Sequence, residues 1–380
     1  MRKLAVHRLF ILSAGFVLLA TIARAQADSA AGAQVSYSSA VHFSKQYAQA
    51  EKAFSFNGKT VEDVSRWRAA FLPRLKATLG LDKIAAQLPG YVPRAQMRSS
   101  EDMGTYIRQR WIIWTDPSVP LPMVILLPKG GGPRPLVLTP HGHGKNPEQY
   151  AGIYLDEEER RMVAARGRDV AVQAVHLGYV VIAPTTRAFG ETRTEKDKRD
   201  SLPFSCRIQL MHDLLVGRTP VGDRVWDMSR IIDWALVHLP VDKKNIAITG
   251  NSGGGTISLF AAACDERITV AAPSSYFCSF EASIGTIAHC DCNYIPGILE
   301  LGEMGDVAGL VAPRALCIIN GQKDEIFPIA AARAEFQRAQ RVYDAAGAAS
   351  KLQMYEGAGG HEYYKDGAWP FISKSFSCPK

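Results

Sequence analysis

Past its first twenty-five residues, this chain has no apolar run long enough to cross a bilayer. It has no internal repeat and no low-complexity tract, which sets repeat architectures aside. It also lacks a real excess of charge. The formal net charge is +7, yet Arg2, Lys3, Arg8 and Arg24 supply four of the 44 basic residues, and no acid lies among them. Without that segment 40 basic residues face 37 acidic ones, a formal +3. Such a balance gives no electrostatic reason to bind nucleic acid or an anionic surface.

What is present at the start is a basic stretch, an apolar run from Leu9 to Ile22, and then Ala23-Arg24-Ala25. That is the pattern of a secretory signal peptide with an A-x-A cleavage site. Residues 1–25 are expected to be removed, leaving a secreted or periplasmic protein with no membrane contact. Apolar residues make up 47% of the chain, ordinary for a globular protein with a full core.

Seven cysteines are odd in number, so at least one stays free or pairs between chains. Cys264 and Cys317 fall in apolar patterns and read as buried thiols. Cys206, Cys278, Cys290, Cys292 and Cys378 are the candidates for disulfides, which export permits. His289, Cys290 and Cys292 invite a zinc reading, but structural zinc needs four ligands, and no second cysteine pair exists. A disulfide to a distant cysteine, or plain loop packing, is expected instead. His141 and His143 stand two apart with no adjacent carboxylate cluster, so no metal is expected there either.

Residues 26–100 read as an N-terminal extension packed on a main domain at 101–380. Val64, Trp67, Phe71, Leu75 and Leu79 recur at helical spacing, with Gly80 as the stop. Strands are predicted at 106–115 and 123–127, separated by Pro117, Pro120 and Pro122, an antiparallel start. Further strands are predicted at 136–139, 179–183, 245–249, 269–272, 315–319 and 351–355, with helices between them. Trp226 and Trp234 fit helix faces and read as core. The alternation implies an α/β fold with a mostly parallel sheet covered on both faces.

The chain's organising stretch is Asn245 to Thr256. A β-branched run ends in Gly250-Asn251-Ser252-Gly253-Gly254, and a small-residue apolar run follows. Strand, tight turn and helix make this a nucleophile elbow, with glycines where a Cβ would clash. Serine then needs a base and a group to orient it, in the order Ser, acid, His. His361, in a glycine-rich loop after the last strand, is the expected base, with His289 as runner-up. Asp324 is the expected acid, with Glu325 as fallback, although an Asp there also suits a helix cap. The oxyanion donors are expected to be the N–H groups of Gly253 and His143, with Gly144 possible. Arg187, just past the strand at 179–183, reads either as an ion pair holding its loop or as a substrate contact.

His141-Gly142-His143-Gly144, Gly250 to Gly254, Gly321 to Asp324 and Gly360-His361-Glu362 together resemble the α/β-hydrolase superfamily. The set looks most like secreted bacterial members of its acetyl xylan esterase-like branch. The resemblance spans about 100 to 375. It implies Ser252 as nucleophile, Asp324 as acid and His361 as base, with no cofactor. The better-known deacetylases carry Gln before the last elbow glycine, where Gly253 stands here. The expected activity is hydrolysis of short acyl esters, acetyl first, on plant polysaccharide, related carbohydrate or a small-molecule ester. A pectin methylesterase-type activity, a secreted serine peptidase and a non-catalytic binding protein on the same scaffold are the alternatives.

Overall fold

The computed structural model describes residues 37–143 and 147–376. The signal segment, Gly144 and Cys378 lie outside them. The chain divides into two compact units, Met1–Gln49 and Ala50–Lys380. In the first, the described element is the helix Ala40–Gln49, none of whose residues is buried. No described helix is long and apolar enough to cross a membrane.

The second unit is built on one nine-stranded sheet. Its strands are β1 (Arg94–Asp102), β2 (Tyr106–Asp116), β3 (Val119–Pro128), β4 (Arg134–Leu138), β5 (Val180–Pro184), β6 (Val241–Asn251), β7 (Val270–Ser274), β8 (Ala315–Gly321) and β9 (Leu352–Gly357). Their order across the sheet is β1-β2-β3-β5-β4-β6-β7-β8-β9. The first three strands and β5 pair antiparallel, and every pairing from β5 to β9 is parallel. This is the α/β arrangement that the alternating pattern implies.

Side-chain alternation explains why both faces are covered. On β4, Leu136 and Leu138 enter one core and Val137 the other. On β6, Ile246 and Ile248 face the first core and Ala247 the second. A strand buried on both sides must carry apolar residues at every position. The helices Val61–Leu79, Pro220–His238 and Gly253–Cys264 close the first face, and Val170–His176 and Lys365–Ser375 the second. The helix Val61–Leu79 opens with a Thr60–Asp63 capping box and ends at Gly80, whose φ of 81° is the left-handed stop. Its Phe71, Leu75 and Leu79 are fully buried, so the stripe read from sequence belongs to the core of the main unit.

The sheet also contains β1, a strand absent from the sequence reading. The strand order reverses where β4 sits between β5 and β6. A crevice opens at the C-terminal ends of strands at such a switch point, and ligands bind there.

Candidate active site

Ser252 stands at the end of β6 with φ 58° and ψ −119°. A non-glycine residue in that region stores about 1–3 kcal/mol of strain, which persists only when neighbours over-determine it. They do so here. The Ser252 N–H donates to Ser274 O of β7 at 2.9 Å, and Ser252 O accepts from Thr256 N–H at 2.9 Å. A Cβ on Gly250 would lie 2.2 Å from Pro140 O, and one on Gly254 would lie 2.1 Å from the same atom. The elbow is therefore pressed against the exit of β4, and only glycine fits on either side.

Asp324 follows β8 and is buried. Its Oδ1 accepts from the N–H groups of Ile326 at 2.9 Å and Phe327 at 3.0 Å. Its Oδ2 lies 2.9 Å from His361 Nδ1. One carboxylate thus performs both roles weighed from sequence, capping its turn with one oxygen and orienting a histidine with the other. Glu325 is exposed.

His361 is carried by the loop after β9. Ser275 Oγ donates to Glu362 O at 2.9 Å, and Lys323 N–H donates to Gly359 O at 2.9 Å, tying that loop to the ends of β7 and β8. The imidazole stacks on Phe327, with ring centroids 5.9 Å apart and planes 19° apart. A carboxylate only accepts, so Nδ1 is the donor in this contact, and in a neutral imidazole Nε2 is then left as an acceptor. Among the described residues, the Ser252 hydroxyl makes no hydrogen bond to His361. Such bonds often close only with substrate bound.

Gly253 is the first residue of its helix, so its N–H has no intrahelical acceptor. The loop after β4 runs alongside: a Cβ on Gly142 would lie 3.0 Å from Gly253 N and 3.1 Å from Ser252 Cβ. His143 is next in that loop, and its Nδ1 would stand 3.5 Å from a Cβ on Gly253. His141 is buried, and its Nε2 accepts from Thr186 N–H at 3.0 Å, which binds the β4 loop to the β5 loop. The two histidines therefore point to different partners.

Arg187 is buried, and its guanidinium is spent on two carboxylates. Nε and one terminal nitrogen each reach Asp227 at 2.7 Å, and the other terminal nitrogen reaches Asp223 at 3.0 Å. Those contacts fit the ion-pair reading of Arg187. His289 meets Asn293, at 3.0 Å from its Nδ1, and no carboxylate. Burial pushes its imidazole down to about 4.

The six described cysteines are free thiols. Cys206, Cys290 and Cys292 meet around His143, a convergence that spacing did not reveal. The signal available was that Cys206, Cys290 and Cys292 were among five cysteines outside any apolar pattern, and that the His143 ring had no role once its backbone N–H was assigned.

A family model for the X-Pro dipeptidyl-peptidase (S15 family) matches residues 117–285. That span holds His143 and Ser252 and stops before Asp324 and His361. YtaP of Bacillus subtilis, assigned as a hydrolase, is 25% identical over 236 residues, 61% of this chain and 75% of that protein. Among solved structures, one assigned as an acetyl xylan esterase from Bacteroides fragilis superposes with a TM-score of 0.68 at 16% identity, over 89% of this chain and 85% of that one. Methylesterase BT1017 gives 0.61 at 19% identity, over 86% of this chain and 68% of that one. A glucuronoyl esterase from Solibacter usitatus gives 0.59 at 14% identity, over 76% and 86%. At these identities the solved structures establish a common fold.

Proposed function

We propose that this chain, which has an α/β-hydrolase fold, is a secreted serine esterase removing short acyl groups, acetyl first, from plant polysaccharide or related carbohydrate. The observation that carries the reading is the 2.9 Å pair of His361 and Asp324, held by loops tied to the same strand ends as Ser252. Export is supported by residues 1–25 alone.

In this reaction Ser252 Oγ attacks the ester carbonyl while His361 Nε2 takes its proton. Asp324 fixes the tautomer and stabilises the imidazolium that forms. The oxyanion is received by the N–H groups of Gly253 and His143, each such donor being worth about 2.7–4 kcal/mol in the transition state. The imidazolium then returns its proton to the leaving sugar oxygen, and an acyl-enzyme remains. Water, deprotonated by the same His361, releases the acid.

The neighbours' names, acetyl xylan esterase, methylesterase and glucuronoyl esterase, support an ester on carbohydrate. A peptidase reading is favoured by the S15 family model. The intact Ser, Asp and His speak against a binding protein without catalysis. One assay separates the readings: acetate, methanol and Xaa-Pro dipeptide release from acetylated xylan, methylated pectin and an Xaa-Pro peptide. Acetate release is expected, abolished by Ser252→Ala at a cost of several orders of magnitude in turnover. Dipeptide release without acetate or methanol would overturn the esterase reading.

A further inference from the structure

Four soft donors converge beside the oxyanion loop, and they come from three separate parts of the chain. His143 follows β4, Cys206 opens the helix Cys206–Leu215, and Cys290 precedes, and Cys292 lies within, a short turn at Asp291–Asn293. His143 Nε2 lies 3.7 Å from Cys206 Sγ, 3.5 Å from Cys292 Sγ and 2.7 Å from Cys290 Sγ. Cys290 Sγ and Cys292 Sγ are 3.4 Å apart. All four donor atoms lie within 4.8 Å of one another.

These distances can be compared with a tetrahedron. With Zn–S of about 2.3 Å and Zn–N of about 2.0–2.1 Å, the edges are about 3.8 Å between sulfurs and about 3.6 Å from sulfur to nitrogen. The separations of 3.7, 3.5 and 3.4 Å come within a few tenths of those edges. The His143–Cys290 pair, at 2.7 Å, would open by less than an ångström. The sulfur separation of 3.4 Å is far from the roughly 2.05 Å of a disulfide.

The surroundings suit a metal. Cys206 and Cys292 are completely buried, and Phe189 and Phe204 wall the cluster. Both rings stand edge-on to His143, at 4.9 and 5.1 Å. Buried Arg224 reaches Cys206 Sγ at 3.7 Å while also donating to Arg187 O at 3.1 Å. Three thiolates around a dication leave one net negative charge, which this guanidinium offsets.

We propose that His143, Cys206, Cys290 and Cys292 form a closed, tetrahedral zinc site that staples the β4 loop to the Cys206–Leu215 helix and the 290–292 turn. Zn²⁺ enters with loss of one proton from each of three thiols, and neutral imidazole supplies the fourth bond. No electron is transferred. Four protein ligands leave no position for substrate, so the ion is structural. Binding at Nε2 also fixes the ring whose backbone N–H is the oxyanion donor. That last consequence rests on the proposed esterase reading, whereas the metal site does not.

The test reads metal rather than activity. Reduced full-length protein is incubated with zinc or with cobalt, desalted and analysed for metal content and absorption. About one ion per chain is expected, with thiolate-to-cobalt charge-transfer bands and tetrahedral d–d bands. Cys206→Ser and Cys292→Ser should each lose the ion, while Cys264→Ser, buried elsewhere, should keep it. Wild-type protein retaining less than about a tenth of an equivalent would overturn the proposal, given the tight binding that structural zinc shows. So would full retention in both cluster variants, or a disulfide between Cys206 and either partner in the purified protein.

Discussion

Replacing Asp324 by Asn keeps the shape of the side chain and changes one acceptor into a donor. Its effect follows from where the carboxylate's partners lie. Oδ1 accepts two backbone N–H bonds, at 2.9 and 3.0 Å, and Oδ2 meets one imidazole at 2.9 Å. If the new NH₂ faced the turn, the buried Phe327 N–H and the half-buried Ile326 N–H would lose their acceptor, at about 1–3 kcal/mol each. If it faces His361, the imidazole accepts in place of donating, and one bond replaces another. The difference, about 2–6 kcal/mol by that accounting, sets the NH₂ toward His361. Nδ1 must then be bare and Nε2 must carry the proton, so the base can no longer take a proton from Ser252. The loss in kcat should lie between about 10²-fold, the scale of general base catalysis, and about 10⁴-fold, the cost of the same exchange in the chymotrypsin-type triad. The assay is hydrolysis of an aryl acetate by Asp324→Asn and Glu325→Gln, with melting curves for both. Melting should change little, and Glu325→Gln should be nearly as active as wild type. A variant Asp324→Asn keeping more than about a tenth of kcat would contradict a general-base role of this size, and a larger loss in Glu325→Gln would move the acid there.

Two further outcomes can be checked by melting. Gly254→Ala places a Cβ 2.1 Å from Pro140 O, a backbone atom, whereas Gly253→Ala meets nothing nearer than Gly142 Cα at 3.4 Å. The first should destabilise by about 1–3 kcal/mol or more, and the second by no more than about 0.5 kcal/mol; similar melting points for the two would be the contrary result. Glu303 is buried, and burial, with Glu335 adding, pushes its carboxyl up to about 7 against the pull of two backbone N–H groups. The folded state then holds the proton more tightly than the unfolded one. Its contribution to stability is complete below about 4.5 and is lost as pH rises through about 7. Glu303→Gln should therefore gain on wild type between those limits, by on the order of 1 kcal/mol per pH unit, and a gap that does not vary with pH would refute the assignment.

Most of the fold was legible because strands buried on both faces carry uninterrupted apolar runs, as Val180 to Pro184 and Ala315 to Ile319 do. The strand β1 was not, because its sequence, Arg94 to Asp102, is almost wholly exposed and has no alternation to read. Its pairing is dictated by β2, where Arg94 faces Trp114 and Met97 faces Trp111. The elbow was legible because its glycines are forced by local crowding. Asp324 was expected as the acid with its neighbour Glu325 as fallback, since sequence alone does not show which of the two the turn buries. The cysteine cluster was read only in part: Cys290 and Cys292 invited a zinc reading, but with His289 in place of His143 and without Cys206. Its members stand 63 and 147 residues from His143, and the helix carrying Cys206 has no strong pattern of its own.

The crowding that made the elbow legible also bears on rate. Pro140 O is the atom that a Cβ at Gly250 or at Gly254 would strike, and Asn251 O is the atom that a Cβ at Gly142 would strike, at 2.5 Å. The exit of β4 and the turn after β6 are thus interlocked, each filling the space that a side chain on the other would need. His141 extends the lock to the β5 loop through Thr186. Three adjacent strands at the switch point therefore end in one rigid assembly, and the N–H groups of His143 and Gly253 belong to it. On the proposed esterase reading these two groups are the oxyanion donors, and donors fixed before the reaction need no reorganisation when charge develops, which is what makes such electrostatic stabilisation effective. Substitutions at Gly142 should accordingly be felt first in kcat, because the nearest atoms a new side chain would displace are Asn251 O and Gly253 N.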